Sequence, residues 1–169
     1  PGSNTTLATV PIGITSSAIT TNVDTINFNS ANSTDPLVTI KNTTNDANGA
    51  RLRFVKDKGA AGADDDIAGQ IEFYADDDNQ DQVLFAKISA QVSDASNGAE
   101  GGKLSLGVAT HDGEFQNGIV LTDGNAEDEI DVTIGSGAES QVTFTAGITT
   151  GGTSGGNSGP VTIAGGITQ

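Results

Sequence analysis

Residues 71–88 read IEFYADDDNQDQVLFAKI. Four acids, an Asn and two Gln lie between two phrases of aliphatic, β-branched and aromatic residues. Ile71, Phe73 and Ala75 alternate with other residues before the acids, and Leu84, Ala86 and Ile88 do so after them. A period of two belongs to a strand with one face turned from water. The stretch therefore reads as two arms of a β-hairpin with a wet tip. The competing reading is a site, with the acids holding calcium or serving as paired carboxylates.

Moving outward, the same period recurs. Leu52 and Phe54 alternate with Arg51 and Arg53 in ARLRFVK, and the run after the acids continues through Ala90 to Val92. Leu104, Leu106 and Val108 follow in KLSLGVA, and GIVLTDG (118–124) gives a further short strand. Between these lie TNDANGA, DKGAAGADDD, DASNGAEGG and HDGEFQNG, all rich in turn formers. No helical period is sustained. The expected fold is all-β, an antiparallel meander or sandwich whose buried face is led by Leu84, Ile88, Val92, Leu104 and Leu106.

The flanks differ from this middle. Residues 1–34 are mostly Thr, Ser and Asn with isolated Ile and Val. Toward the C-terminus a strand-and-glycine phrase recurs, as VTIGSG at Val132, VTFTAG at Val142 and VTIAGG at Val161, with VTIKN at Val38 as an earlier echo. Such short strands cannot bury a face alone and need stacked copies or neighbouring chains; a flexible Gly/Ser linker is the other reading of this region. The expected organisation is a β-rich shaft or linker segment over 1–34, an antiparallel β domain over 35–127, and a Gly/Thr-rich, short-strand β-repeat over 128–169.

Composition narrows the function. With six Phe, one Tyr, no Trp and 23 Gly in 169 residues, one chain has little from which to build a core. Association of identical chains would supply the missing burial, which suggests an intertwined trimer. Seven Lys and Arg against 22 Asp and Glu give a net charge of -15, which opposes nucleic-acid binding. The absence of Cys excludes a thiol nucleophile and Cys-ligated zinc. No apolar run has transmembrane length, so membrane insertion is not expected. The chain begins PGSN and contains no Met, which reads as a piece of a longer polypeptide.

The sharper chemical readings fail on spacing. In an EF-hand register, Asp76, Asp78 and Gln80 take positions one, three and five, but Asp81 replaces the required Gly and Lys87 the closing Glu. Asp64, Asp66 and Gly69 fit a second register that closes on Ala75. Asp123, Asn125 and Glu127 begin a third, with Asp128 at the Gly position and Ile134 at the end. Paired carboxylates for glycoside chemistry lack aromatic company beyond Tyr74 and a few Phe. The lone His111 adjoins Asp112, yet no G-x-S-x-G phrase supplies a nucleophile. GGTSGGNSG is followed by neither Lys-Ser/Thr nor a helix, so it is not a phosphate loop. No catalytic, cofactor-binding or metal-ligating residue is assigned, and no enzyme is expected. Phe115, among polar residues in HDGEFQNG, and the DKGAAGADDD loop are the exposed features that could touch a partner.

From about Val38 to Gly124 the chain resembles a segment common in tail-fibre and tail-spike-like structural proteins of phages, particularly marine and cyanobacterial ones. RLRFVKDKGAAG, G-x-I-x-F-x-A-D-D, QVLFAKI and GxLxLGVATHDG carry the resemblance, in matching order. It implies a β-structured part of a homotrimeric, elongated virion appendage, extracellular, with other tail or neck proteins and a host surface glycan as partners. Such segments often lie upstream of a self-cleaving chaperone domain or a receptor-binding tip. This sequence shows neither, so it reads as an interior shaft or platform piece. Two other classes remain beside it: a carbohydrate-binding or depolymerising module of the appendage, and a calcium-dependent bacterial adhesin or surface-layer repeat. Because all three calcium registers fail, a chelator is expected to leave the melting midpoint unchanged. A drop on adding EDTA, reversed by calcium, would favour the adhesin reading.

Overall fold

A computed structural model of the chain describes residues 23–146. Its chain contacts divide into two units, 1–52 and 53–169. Within the described part of the first unit there is no strand, and VTIKN at Val38 forms none. Short polar side chains organise its backbone instead. Asn42 Oδ1 accepts the Thr44 amide at 2.9 Å, Asp46 Oδ1 accepts the Asn48 amide at 2.9 Å, and Asn42 Nδ2 donates to the Asn48 carbonyl at 3.0 Å.

The second unit is one open, five-stranded antiparallel sheet. Its strands are β1 (Ile67–Asp76), β2 (Gln82–Asp94), β3 (Gly101–Ala109), β4 (Phe115–Asp123) and β5 (Ile130–Ile134), paired in chain order. The fold is thus an all-β meander, and the described residues contain no helix and no second sheet. β5 carries the first VTIGSG phrase and closes this sheet, beyond the domain edge that the sequence suggested at residue 127. VTFTAG is not a strand over its described residues, and VTIAGG lies outside them.

Directly opposed residues of an antiparallel ladder share a face. Ile71, Ile88, Leu106, Ile119 and Ile134 form one row across all five strands. Gly69, Ala90, Leu104, Leu121 and Val132 form the next row on the same face. The opposite face carries the row Gln70, Ser89, Ser105, Val120 and Thr133. The alternation read from the sequence is therefore the real division of the sheet.

Two expectations need correction. Phe85 is an extra residue in β2, and the register shift sets Leu84 opposite Tyr74 while Ala86 stays opposite Phe73. Leu84 consequently joins the Tyr74 face and leaves the face of Ile88 and Ala90, because a bulge resets the alternation. The second correction concerns residues 51–57, which form no strand despite their alternation. β propensity is overridden by context, and here Phe54 lies across the apolar face against Gly69 instead of extending a ladder.

The hairpin reading of residues 71–88 holds. Asp76 pairs with Gln82, and Asp77 organises the tip between them. Its Oδ1 accepts the amides of Asn79 and Asp81, each at 2.9 Å, while Gln80 takes the left-handed conformation. Elsewhere a glycine is needed for space. A Cβ on Gly107 would collide with the Phe115 ring and lie 2.6 Å from the Gln116 carbonyl oxygen. The ring could yield but the backbone of the paired strand could not, so Gly107→Ala is expected to cost about 1–3 kcal/mol. Urea unfolding checks this, and an unchanged midpoint would contradict the packing described.

Candidate functional site

The sheet's two faces differ in an unusual way. Among the described residues no hydrophobic side chain is buried. The buried ones are Ser89 and Ser105, each 8% exposed, and Gly107, all on the polar face of the two central strands. Longer neighbours shelter them: Gln70, Lys87, Gln91, Lys103, Phe115 and Asn117 surround a hollow of about 220 Å3 there. Gln70 Nε2 donates to Ser89 Oγ at 3.3 Å, and the Lys87 ammonium sits 4.9 Å from the centroid of the Phe115 ring. Long amphipathic side chains thus cover short polar ones with their stems.

Among the described residues, the apolar face has no such cover. Ile71 is 39% exposed, Leu106 37%, Val108 55% and Val132 58%. Phe54, Ile71, Ile88, Ala90 and Leu104 line a shallow apolar hollow at the β1 side. Five strands of 5 to 13 residues, about 4.8 Å apart, give this face on the order of 700 Å2. That exceeds the largest apolar patch of most soluble monomers, and approaches the roughly 800 Å2 each partner contributes to a stable interface. The group expected to form a core is present on one face, Leu84 excepted, but the described residues leave it partly in water.

The acidic segments resolve into structural roles. In the turn before β1, Asp64 Oδ1 accepts the Ala95 amide at 2.8 Å, and Asp65 Oδ1 accepts from Gln91 Nε2 at 3.0 Å. Asp66 accepts Lys58 Nζ at 2.8 Å and the Ala63 amide at 2.9 Å. Backbone bonds of 2.9 Å join Asp65 to Val92 and Val92 to Asp66. These three acids clasp the segment before β1 onto the end of β2, a role that turn composition did not announce. Asp76, Asp78 and Gln80 stay at the hairpin tip, and Glu129 Oε2 accepts the Asn125 amide at 2.8 Å in the turn before β5. Among the described residues, no group of three or more His, Asp or Glu side chains is placed to hold a metal ion.

His111 and Asp112 share the turn between β3 and β4 without forming a dyad. The Asp112 carboxylate accepts the Thr110 hydroxyl at 2.7 Å and the Glu114 amide at 3.4 Å. The Thr110 hydroxyl holds the Asp112 carboxyl below the ordinary carboxylate range, with the turn's amides adding to it. Asp66 is lowered chiefly by the Lys58 ammonium, and Asp94 chiefly by the Ser96 side chain. Ser93 Oγ donates to Asp123 Oδ1, and that pair locks β2 to β4 across Gly101. No family model, curated protein or solved structure matches the chain.

Carboxylates whose folded pKa is lowered contribute stability above their unfolded pKa, near 4, and lose it as pH falls through the folded value. The fold is therefore expected to hold its stability down to about pH 5 and to lose it below about pH 4. Asp66→Asn with Asp112→Asn should flatten that acid limb in melting curves taken from pH 6 to pH 2.5. An acid limb identical to the unsubstituted chain's would show that these contacts do not act in solution.

Proposed function

We propose that this chain is a structural, self-associating segment of a phage virion appendage, a shaft or platform piece of a tail fibre or spike. It works as a homotrimer outside the cell, joined to other tail or neck proteins, and positions a receptor-binding part without catalysing a reaction. One observation carries the reading: an aliphatic face spans all five strands, and among the described residues nothing of comparable area covers it. A monomer gains little by displaying that surface, whereas identical chains packed about an axis would remove it from water at about 25 cal/mol per Å2. The order of the strand and turn phrases from Val38 to Gly124 supports the phage assignment.

A second reading, a carbohydrate-binding module of the same appendage, draws on the polar hollow. Gln70, Gln91, Asn117 and two lysines there are ready hydrogen-bond partners for hydroxyls. Against it, the Phe115 ring is engaged by Gly107 and Lys87, so it makes a poor stacking platform for a sugar. A glycan array separates the readings, since only a binding module gives a signal that Lys87→Ala with Gln91→Ala abolishes. For the leading reading, light scattering on the size-fractionated chain should return the mass of three copies. A folded species with the mass of one chain would overturn it.

A further inference from the structure

Opposite charges are segregated along the chain. Arg51, Arg53, Lys56 and Lys58 are four of the seven cations and fall within eight residues. No Lys or Arg follows Lys103, while Asp123, Glu127, Asp128, Glu129 and Asp131 crowd the end of β4 and the start of β5. Among the described residues, only Lys58 of the cationic group makes an ion pair within 4.0 Å. The cationic segment has a strand's alternation but no strand partner. β5 is the last strand of the sheet, and its outer edge is unpaired among the described residues.

We propose that residues 51–56 of one copy add as an antiparallel strand to the free β5 edge of a neighbouring copy. This rests on the self-association reading and specifies which surfaces meet. Main-chain bonds supply such strand addition, and alternate side chains select its register. With Arg53 opposite Asp131, Leu52 falls opposite Val132 and Phe54 opposite Ile130, all on the apolar face. A slip of two residues one way puts Lys56 opposite Ile130, and the other way carries Phe54 past the first residue of β5, so both alternatives waste an apolar or a charged match. Phe54, 51% exposed against Gly69, exchanges that partial contact for Ile130. Because the arm and the receiving edge are different surfaces, the contact is heterologous and closes into a ring when the rotation permits.

The chain has no cysteine, so introduced thiols report the contact cleanly. Full-length Arg53→Cys and Asp131→Cys variants are mixed in equal amounts, dissociated, reassembled and treated with a short bis-maleimide. Covalent dimers are expected from the mixture and not from either variant alone, and the double variant should give a ladder of dimers and trimers. In parallel, Arg53→Glu should weaken association about three- to tenfold, and Arg53→Glu with Asp131→Lys should restore it. Oligomers by light scattering without cross-links or charge rescue would overturn the strand addition and leave self-association standing. A link formed only within one chain would also overturn it. A folded monomer under all conditions would overturn both.

Discussion

The apolar rows across the five strands are the constraint on which the rest of this structure depends. Hydrophobic burial is the main favourable term in folding, yet the side chains able to contribute most, from Ile71 through Leu104 to Val132, remain partly in water. Among the described residues, what is protected is a pair of serines and a glycine under the arms of Gln, Lys and Phe. The sheet is held by its ladders, by four register adjustments that fit the strands together, and by local carboxylate bonds in the turns. An isolated meander of this kind has the contacts of a half-built sandwich. Its missing layer is the physical basis for reading the chain as part of an assembly.

Acidic turns fit the same picture. A net charge of -15 and carboxylates at every hairpin end keep sheet edges and faces from random pairing. Several of these carboxylates accept amides or hydroxyls, within their own turn at Asp77 and Asp112 and across to the end of β2 at Asp64, and among the described residues no group of three or more is placed to hold a metal ion. Solubility and turn definition thus come from the same groups.

Much of the fold was legible because strand alternation is a short-range signal. The hairpin at 71–88, the apolar positions of β3 and the all-β class follow from period and turn chemistry alone. Bulges were not legible: nothing near Phe85 marks it as the extra residue that carries Leu84 to the other face. The failure of residues 51–57 to form a strand was equally hidden, since alternation states a capacity for a strand and does not say whether the segment pairs. The largest gap concerns burial. Sequence identifies which residues prefer a core but not whether one chain encloses them, and Leu104 and Leu106 differ from core residues only in what stands above them.

The clasp formed by Asp64, Asp65 and Asp66 has a consequence for architecture. Lys58 is pinned to Asp66 beside the end of β2, so the chain N-terminal to it, back to Arg53, is a tether of five residues. Fully extended it spans about 17 Å, less than the sheet's own width of about 24 Å. Such a tether works as a ruler: under the strand addition proposed above, the receiving edge must lie within that reach of the clasp.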